Sequence, residues 1–127
     1  MTDDTIRLRQ PAADEIRAFI QPTGEAFAEV FSEAEFDLER RLWELDRLIG
    51  ALDGERWVGT GGSYSLGLTV PGGEVDAAGI TMIGVTPSHR RRGILRQIMR
   101  WLFDQARERG EPVSILWASE SAIYQHF

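Results

Sequence analysis

The hydrophobic period of this chain switches from helical to twofold near residue 47 and back again at Gly93, and that switch bounds the folds open to it. Leu48-Ile49-Gly50-Ala51-Leu52 reads as a strand. Asp53-Gly54 follows, a strong two-residue hairpin signal, because a type I′ turn needs positive φ at both central positions. Arg56 to about Val70 is the return strand, with Gly59, Gly61 and Gly62 weakening or bulging it. Pro71-Gly72-Gly73 turns the chain again, and Val75–Val85 is a third antiparallel strand. Gly93 then opens a helix over Ile94–Arg109, with residues 94, 95, 98, 99, 102 and 106 on one apolar face. Gly110 and Pro112 stop it.

The flanks complete the pattern. Thr5–Arg9 alternates as a short strand, and a short helix over residues 13–20 is expected to end before Pro22. From Gly24 to Leu45 the apolar positions (Phe27, Val30, Phe31, Ala34, Leu38, Leu42, Leu45) fit a helical stripe, long enough for two helices or one kinked helix. Val113–Ala118 is a near-continuous apolar run, expected as a buried strand, and Ser119 or Ser121 caps a last helix. The tryptophans Trp43, Trp57, Trp101 and Trp117 read mostly as core. The order β-α-α-β-β-β-α-β-α is an α+β layout with a mostly antiparallel sheet. The last helix carries Ile123, Tyr124 and Phe127 with nothing after them to cover its apolar side. Residues 1–127 are therefore expected to be an incomplete domain at the front of a longer chain.

Composition narrows the chemistry. At 127 residues the chain is one domain, and with no cysteine it has no disulfide, thiolate metal site or cysteine nucleophile. Every one of its 14 basic residues is arginine, which excludes a lysine nucleophile. His89 and His126 are far apart and share no metal-ligand spacing with carboxylates, so structural roles and no metal are expected, with a contact to solvent as the plain expectation for the His89 side chain. The acidic N-terminus is no secretory signal and no apolar run spans a bilayer, so a cytoplasmic protein without a membrane partner is expected. The net charge of −6 is unevenly placed: residues 1–60 are acidic, whereas residues 86–127 are basic. A single short basic loop in an acidic chain argues against nucleic acid as a partner. Glu33, Glu35 and Asp37, with Phe31 and Phe36, read as a helix with a solvated face or as a pocket rim for a cationic amine.

Thr86-Pro87-Ser88-His89-Arg90-Arg91-Arg92-Gly93-Ile94-Leu95-Arg96 lies between a strand and a helix. A helix N-terminus, a glycine that admits close backbone approach and four arginines coincide there, which together make a pyrophosphate site. The stretch resembles the signature Arg/Gln-x-x-Gly-x-Gly/Ala of the GCN5-related N-acetyltransferase (GNAT) superfamily, with Leu95 where Gly or Ala is usual. That departure, Leu68–Gly73, Val85–Leu95 and Ala118–Phe127 resemble the enhanced intracellular survival (Eis) branch closely.

The resemblance implies a GNAT fold that stops before its last two strands, and acetyl-CoA as co-substrate. It implies direct transfer to an amine partner, with aminoglycoside, polyamine or lysine as the acceptor. Backbone of Ile83, Gly84 and Val85 would meet the pantetheine, and the Val85 N–H would face the thioester oxygen. Arg90, Arg91, Arg92, Gly93, Ile94, Leu95 and Arg96 would hold the pyrophosphate, and Ser119 and Glu120 the cofactor's other side. Tyr124 would donate a proton to the departing sulfur. The general base of the branch is its own C-terminal carboxylate, supplied by a distant domain, and Phe127 does not stand in for it. The parent protein would be a homo-oligomer, a hexamer in that branch. The competing reading is a non-catalytic module with the same fold.

Overall fold

The computed structural model describes residues 5–27, 32–118 and 121–127. Strands β1 (Ile6–Arg9), β2 (Leu48–Asp53), β3 (Arg56–Val70), β4 (Gly73–Val85) and β5 (Val113–Leu116) form one sheet in sequence order. The first four strands pair antiparallel, and β5 joins β4 in parallel. Helices α1 (Ile16–Phe19), α2 (Gln21–Phe27) and α3 (Glu33–Glu39) precede the meander, α4 (Ile94–Glu108) links β4 to β5, and α5 (Ser121–Tyr124) follows. A parallel pair needs a crossover, and α4 supplies it.

Twofold alternation gives the sheet two apolar faces. Ile49, Ala51, Val58, Ala78 and Ile80 pack with Ile94, Ile98, Met99, Leu102 and Ala106 of α4. On the other face Leu48, Leu52 and Trp57 pack with Phe19, Ile20 and Phe36. Phe19 meets the Trp57 ring edge-on at 5.3 Å between centroids. Arg9 lies over Trp57 and holds both Glu15 carboxylate oxygens at 2.8 Å, which draws the Glu15 pKa down to about 2.

Several expectations change. The β2–β3 turn is Gly54-Glu55, not Asp53-Gly54: Asp53 pairs with Arg56, and of the two turn residues only Gly54 has positive φ, at 63°. That is the pattern of a type II′ turn, with glycine first. Asp53 is thereby the last strand residue and its carboxylate is free of the turn. The glycines of β3 do mark irregular pairing, with register shifts near Gly59 and between Thr60 and Gly62, yet the strand runs unbroken. The first helix does end before Pro22, at Phe19, but Pro22 then lies in the first turn of α2, where the N–H it lacks would be unpaired anyway.

The long helical stripe is shorter than its pattern. In the part after residue 31, α3 ends at Glu39, and Leu38 and Leu42, at 65% and 62%, are exposed. Phe36 and Trp43 pack edge-to-face and fill the core there instead. The run Val113–Ala118 is not buried: β5 has one paired neighbour among the described strands, and Trp117 is fully exposed. Continuous apolar runs signal burial for strands covered on both faces, which β5 is not.

Candidate functional site

β4 carries two features that set its last residues apart. Its pairing with β5 ends at Ile80–Leu116, so Thr81–Val85 have no strand beside them on that edge among the described residues. A bulge lies in the same stretch. Thr60 pairs with Gly84 and Gly62 with Thr81, so Met82 and Ile83 face Gly61 alone, and Met82 takes φ 58°. The Thr86 N–H donates to the Val58 carbonyl at 2.9 Å, toward β3. Alternation along the strand turns the N–H of Val85 the other way, toward the open edge.

Three hydroxyl contacts hold the bulge. Thr60 Oγ1 donates to the Met82 carbonyl at 2.6 Å. Thr23 Oγ1 lies 2.6 Å from Thr60 Oγ1 and 3.4 Å from the same carbonyl. Thr23 belongs to α2, which lies close against β4 at Gly84: a Cβ there would meet Thr23 Cα at 3.0 Å and the Pro22 carbonyl at 3.3 Å. Sequence reasoning missed both threonines. The paired glycines Gly61-Gly62 opposite the bulge were the local sign of it.

After Thr86 the chain makes a short 3₁₀ turn, Pro87–His89, and enters the arginine loop. Arg91 and Gly93 both take left-handed backbone, with φ 65° and 79°. An arginine in that region is strained, and such strain persists where the surroundings over-determine it. Gly93 is the N-cap of α4 and has no side-chain partner there, so the free N–H groups of the first turn face outward to any anion. Arg90 and Arg91 are exposed and make no hydrogen bond or ion pair among the described residues. Arg92 Nη2 reaches Thr5 Oγ1 at 3.4 Å, and the Arg96 guanidinium lies over the Phe127 ring at 5.7 Å.

Ile83, Val85, Leu95 and Tyr124 all pack against the cluster beneath α4, while Ile94 is part of it. Tyr124 is half-buried, and desolvation raises its pKa. Its hydroxyl has no hydrogen-bond partner among the described residues. Ser119 and Glu120 lie outside the described residues.

The other sequence candidates are placed differently. His89 is buried, at 8% exposure, rather than turned to solvent. Its Nε2 meets Asp53 Oδ2 at 2.8 Å and its Nδ1 meets Ser88 Oγ at 2.8 Å. Glu33 pairs with Arg17 of α1 at 2.8 Å, and Ser32 Oγ accepts from the Glu35 N–H at 3.2 Å, so one residue of the acidic stretch links α3 to α1 and another caps α3. A cavity of about 390 Å³ is lined by Asp14, Arg17, Phe36, Arg40 and Trp43 among others, and none of the β4 or loop residues borders it. No group of ligating residues fit for a metal occurs among the described residues, and no helix is long and apolar enough to cross a membrane.

Comparisons with known proteins converge on this architecture. An N-acetyltransferase of Streptomyces avermitilis, itself uncharacterized, is 47% identical over the whole chain, which spans 31% of that relative's length. The structure of Eis1 from Mycobacterium abscessus superposes with a TM-score of 0.83 at 33% identity, covering 96% of this chain and 30% of that one. An aminoglycoside acetyltransferase from an uncultured soil metagenomic sample superposes with a TM-score of 0.68 at 26% identity, covering 94% of this chain and 82% of its own. The family profile described as acetyltransferase (GNAT) domain matches residues 7–127. With the α+β sheet, the β4 edge and the arginine loop in their expected order, the chain belongs to the GCN5-related N-acetyltransferase family.

Proposed function

We propose that this chain binds acetyl-CoA along the open edge of β4 and transfers the acetyl group directly to a primary amine in a ternary complex. One observation carries the reading: the unpaired backbone of Thr81–Val85 runs straight into a loop of exposed arginines and an uncapped helix N-terminus. An extended pantetheine needs strand-like partners, and a pyrophosphate needs clustered N–H donors and arginines. The chain presents the two in sequence.

In this reading the backbone of Ile83, Gly84 and Val85 lies along the pantetheine. Arg90, Arg91, Arg92 and Arg96, with the N–H groups of Gly93, Ile94 and Leu95, meet the pyrophosphate. Ser119 and Glu120, outside the described residues, would line the cofactor's other side. The amine nitrogen attacks the thioester carbonyl, the Val85 N–H stabilises the developing oxyanion, and the C–S bond breaks. Tyr124 protonates the departing sulfur, and the amine releases its proton to a base or to water. The acceptor class is an aminoglycoside, polyamine or lysine amine, a choice supported by the likeness to Eis1 and to an aminoglycoside acetyltransferase.

Calorimetric titration with acetyl-CoA tests the reading. Wild type should bind, and Arg91→Ala should weaken binding about ten-fold through the loss of one charged contact to phosphate. A folded wild-type chain that gives no heat overturns it.

A further inference from the structure

The arginine loop is fixed on both sides of Arg90 and Arg91, and within it Arg92 reaches Thr5. Neither Arg90 nor Arg91 has a hydrogen bond or ion pair among the described residues, and Arg91 is in strained left-handed backbone. The back of the loop is fixed by α4, whose first bond runs from the Gln97 N–H to the Gly93 carbonyl at 3.2 Å. The front is fixed by His89, immediately before Arg90. Its N–H donates to the Thr86 carbonyl at 2.9 Å, and its ring reaches across to Asp53, 36 residues earlier.

The direction of that ring bond follows from its acceptor. An ionised carboxylate only accepts, so His89 Nε2 carries the proton and donates to Asp53 Oδ2 at 2.8 Å. In the neutral ring Nδ1 is then an acceptor for the Ser88 hydroxyl at 2.8 Å, with Thr86 Oγ1 at 3.3 Å. One carboxylate thus sets the tautomer and the orientation of a buried imidazole. Asp53 is itself fixed, at the end of β2 between Ile6 of β1 and Arg56 of β3. The front of the loop is therefore tied to the sheet by way of Asp53 and His89.

We propose that Asp53 is a positioning residue for the phosphate-binding loop, acting through His89 to hold Arg90–Gly93 in the shape that receives a pyrophosphate. The proposal rests on the acetyl-CoA reading for its consequence but not for the tie itself, so two measurements separate them. The first is amide hydrogen exchange of the chain without cofactor. Asp53→Ala should speed exchange over residues 88–94 by about ten-fold or more and leave α4 beyond Met99 as in wild type. Asp53→Asn, whose amide oxygen still accepts from Nε2, should exchange within about two-fold of wild type. His89→Phe keeps a ring in the slot without either nitrogen and should match Asp53→Ala, which preserves the test if one variant fails to fold.

The second measurement compares CoA with pantetheine, which lacks the pyrophosphate. Asp53→Ala should weaken CoA about ten-fold while pantetheine binding is unchanged, and Asp53→Asn should restore CoA. Wild-type exchange rates over residues 88–94 in Asp53→Ala overturn the tie. Equal loss of CoA and pantetheine overturns the loop-specific role. If wild type binds neither, the acetyl-CoA reading falls and the exchange experiment alone decides the tie.

Discussion

A phenol can give up a proton to a leaving thiolate at neutral pH only if it is still protonated there, and burial raises the pKa of Tyr124 above the ordinary phenol value. The protonated form is therefore kept through the neutral range and lost only as the pH rises past that raised value. A half-buried hydroxyl without a partner among the described residues is also available to a ligand atom, unlike a core tyrosine whose hydroxyl is tied to backbone. Tyr124→Phe removes the proton and little of the packing. Steady-state rates should fall about 100-fold in kcat with the KM for acetyl-CoA within about two-fold of wild type, the signature of an interaction made in the transition state. Unchanged turnover would remove the donor role. At this scale the motif-bearing residues could be read from sequence, since Tyr124, Gly93 and the arginines sit in contiguous stretches. Asp53 and His89 could not be paired that way, because nothing local says which of many carboxylates meets a histidine 36 residues on.

The strands of the meander and the long helix were readable for a physical reason: hydrophobic period is local, and β2, β3, β4 and α4 obey it closely, although the first turn falls one residue later than its Asp-Gly signal. The misread elements are those where tertiary context decides. The residue 113–118 run has the composition of an interior strand and lies at an edge among the described strands, and the stripe through Leu38 and Leu42 outlasts its helix. The β4 bulge belongs with these, since its stabilising hydroxyls come from α2 and β3. Thr60→Val keeps the side-chain shape but removes both 2.6 Å hydrogen bonds, leaving the Met82 carbonyl and the Thr23 hydroxyl only their 3.4 Å contact with each other. Chemical denaturation should show a loss of about 1–3 kcal/mol. Thr60→Ser keeps the hydroxyl and should recover most of it. If the bulge shapes the pantetheine edge, acetyl-CoA binding should weaken in the valine variant and return in the serine one. A valine variant with wild-type stability and binding would show that the hydroxyls do not hold the bulge.

At the scale of the molecule, a buried ion pair between described residues joins parts that no local rule connects. Arg47, just before β2, meets both oxygens of Glu111, in the connection from α4 to β5, at 2.8 and 3.0 Å. Their side chains are 2% and 6% exposed, and Arg47 Nε also donates to Ser63 Oγ of β3 at 2.9 Å. The pair therefore ties the far end of α4 to the start of β2, opposite the end that carries the arginine loop. Desolvating both charges costs roughly what their attraction returns, so the pair is not a large net source of stability. Removing one partner is another matter, because the remaining charge stays buried and unpaired. Glu111→Ala should cost about 3–5 kcal/mol in denaturant unfolding. The double variant Arg47→Met, Glu111→Leu fills the same space without charge and should be clearly more stable than Glu111→Ala. A double variant as unstable as the single one would mean that the geometry of the charged pair, rather than relief of an unpaired charge, holds the end of α4 to the sheet.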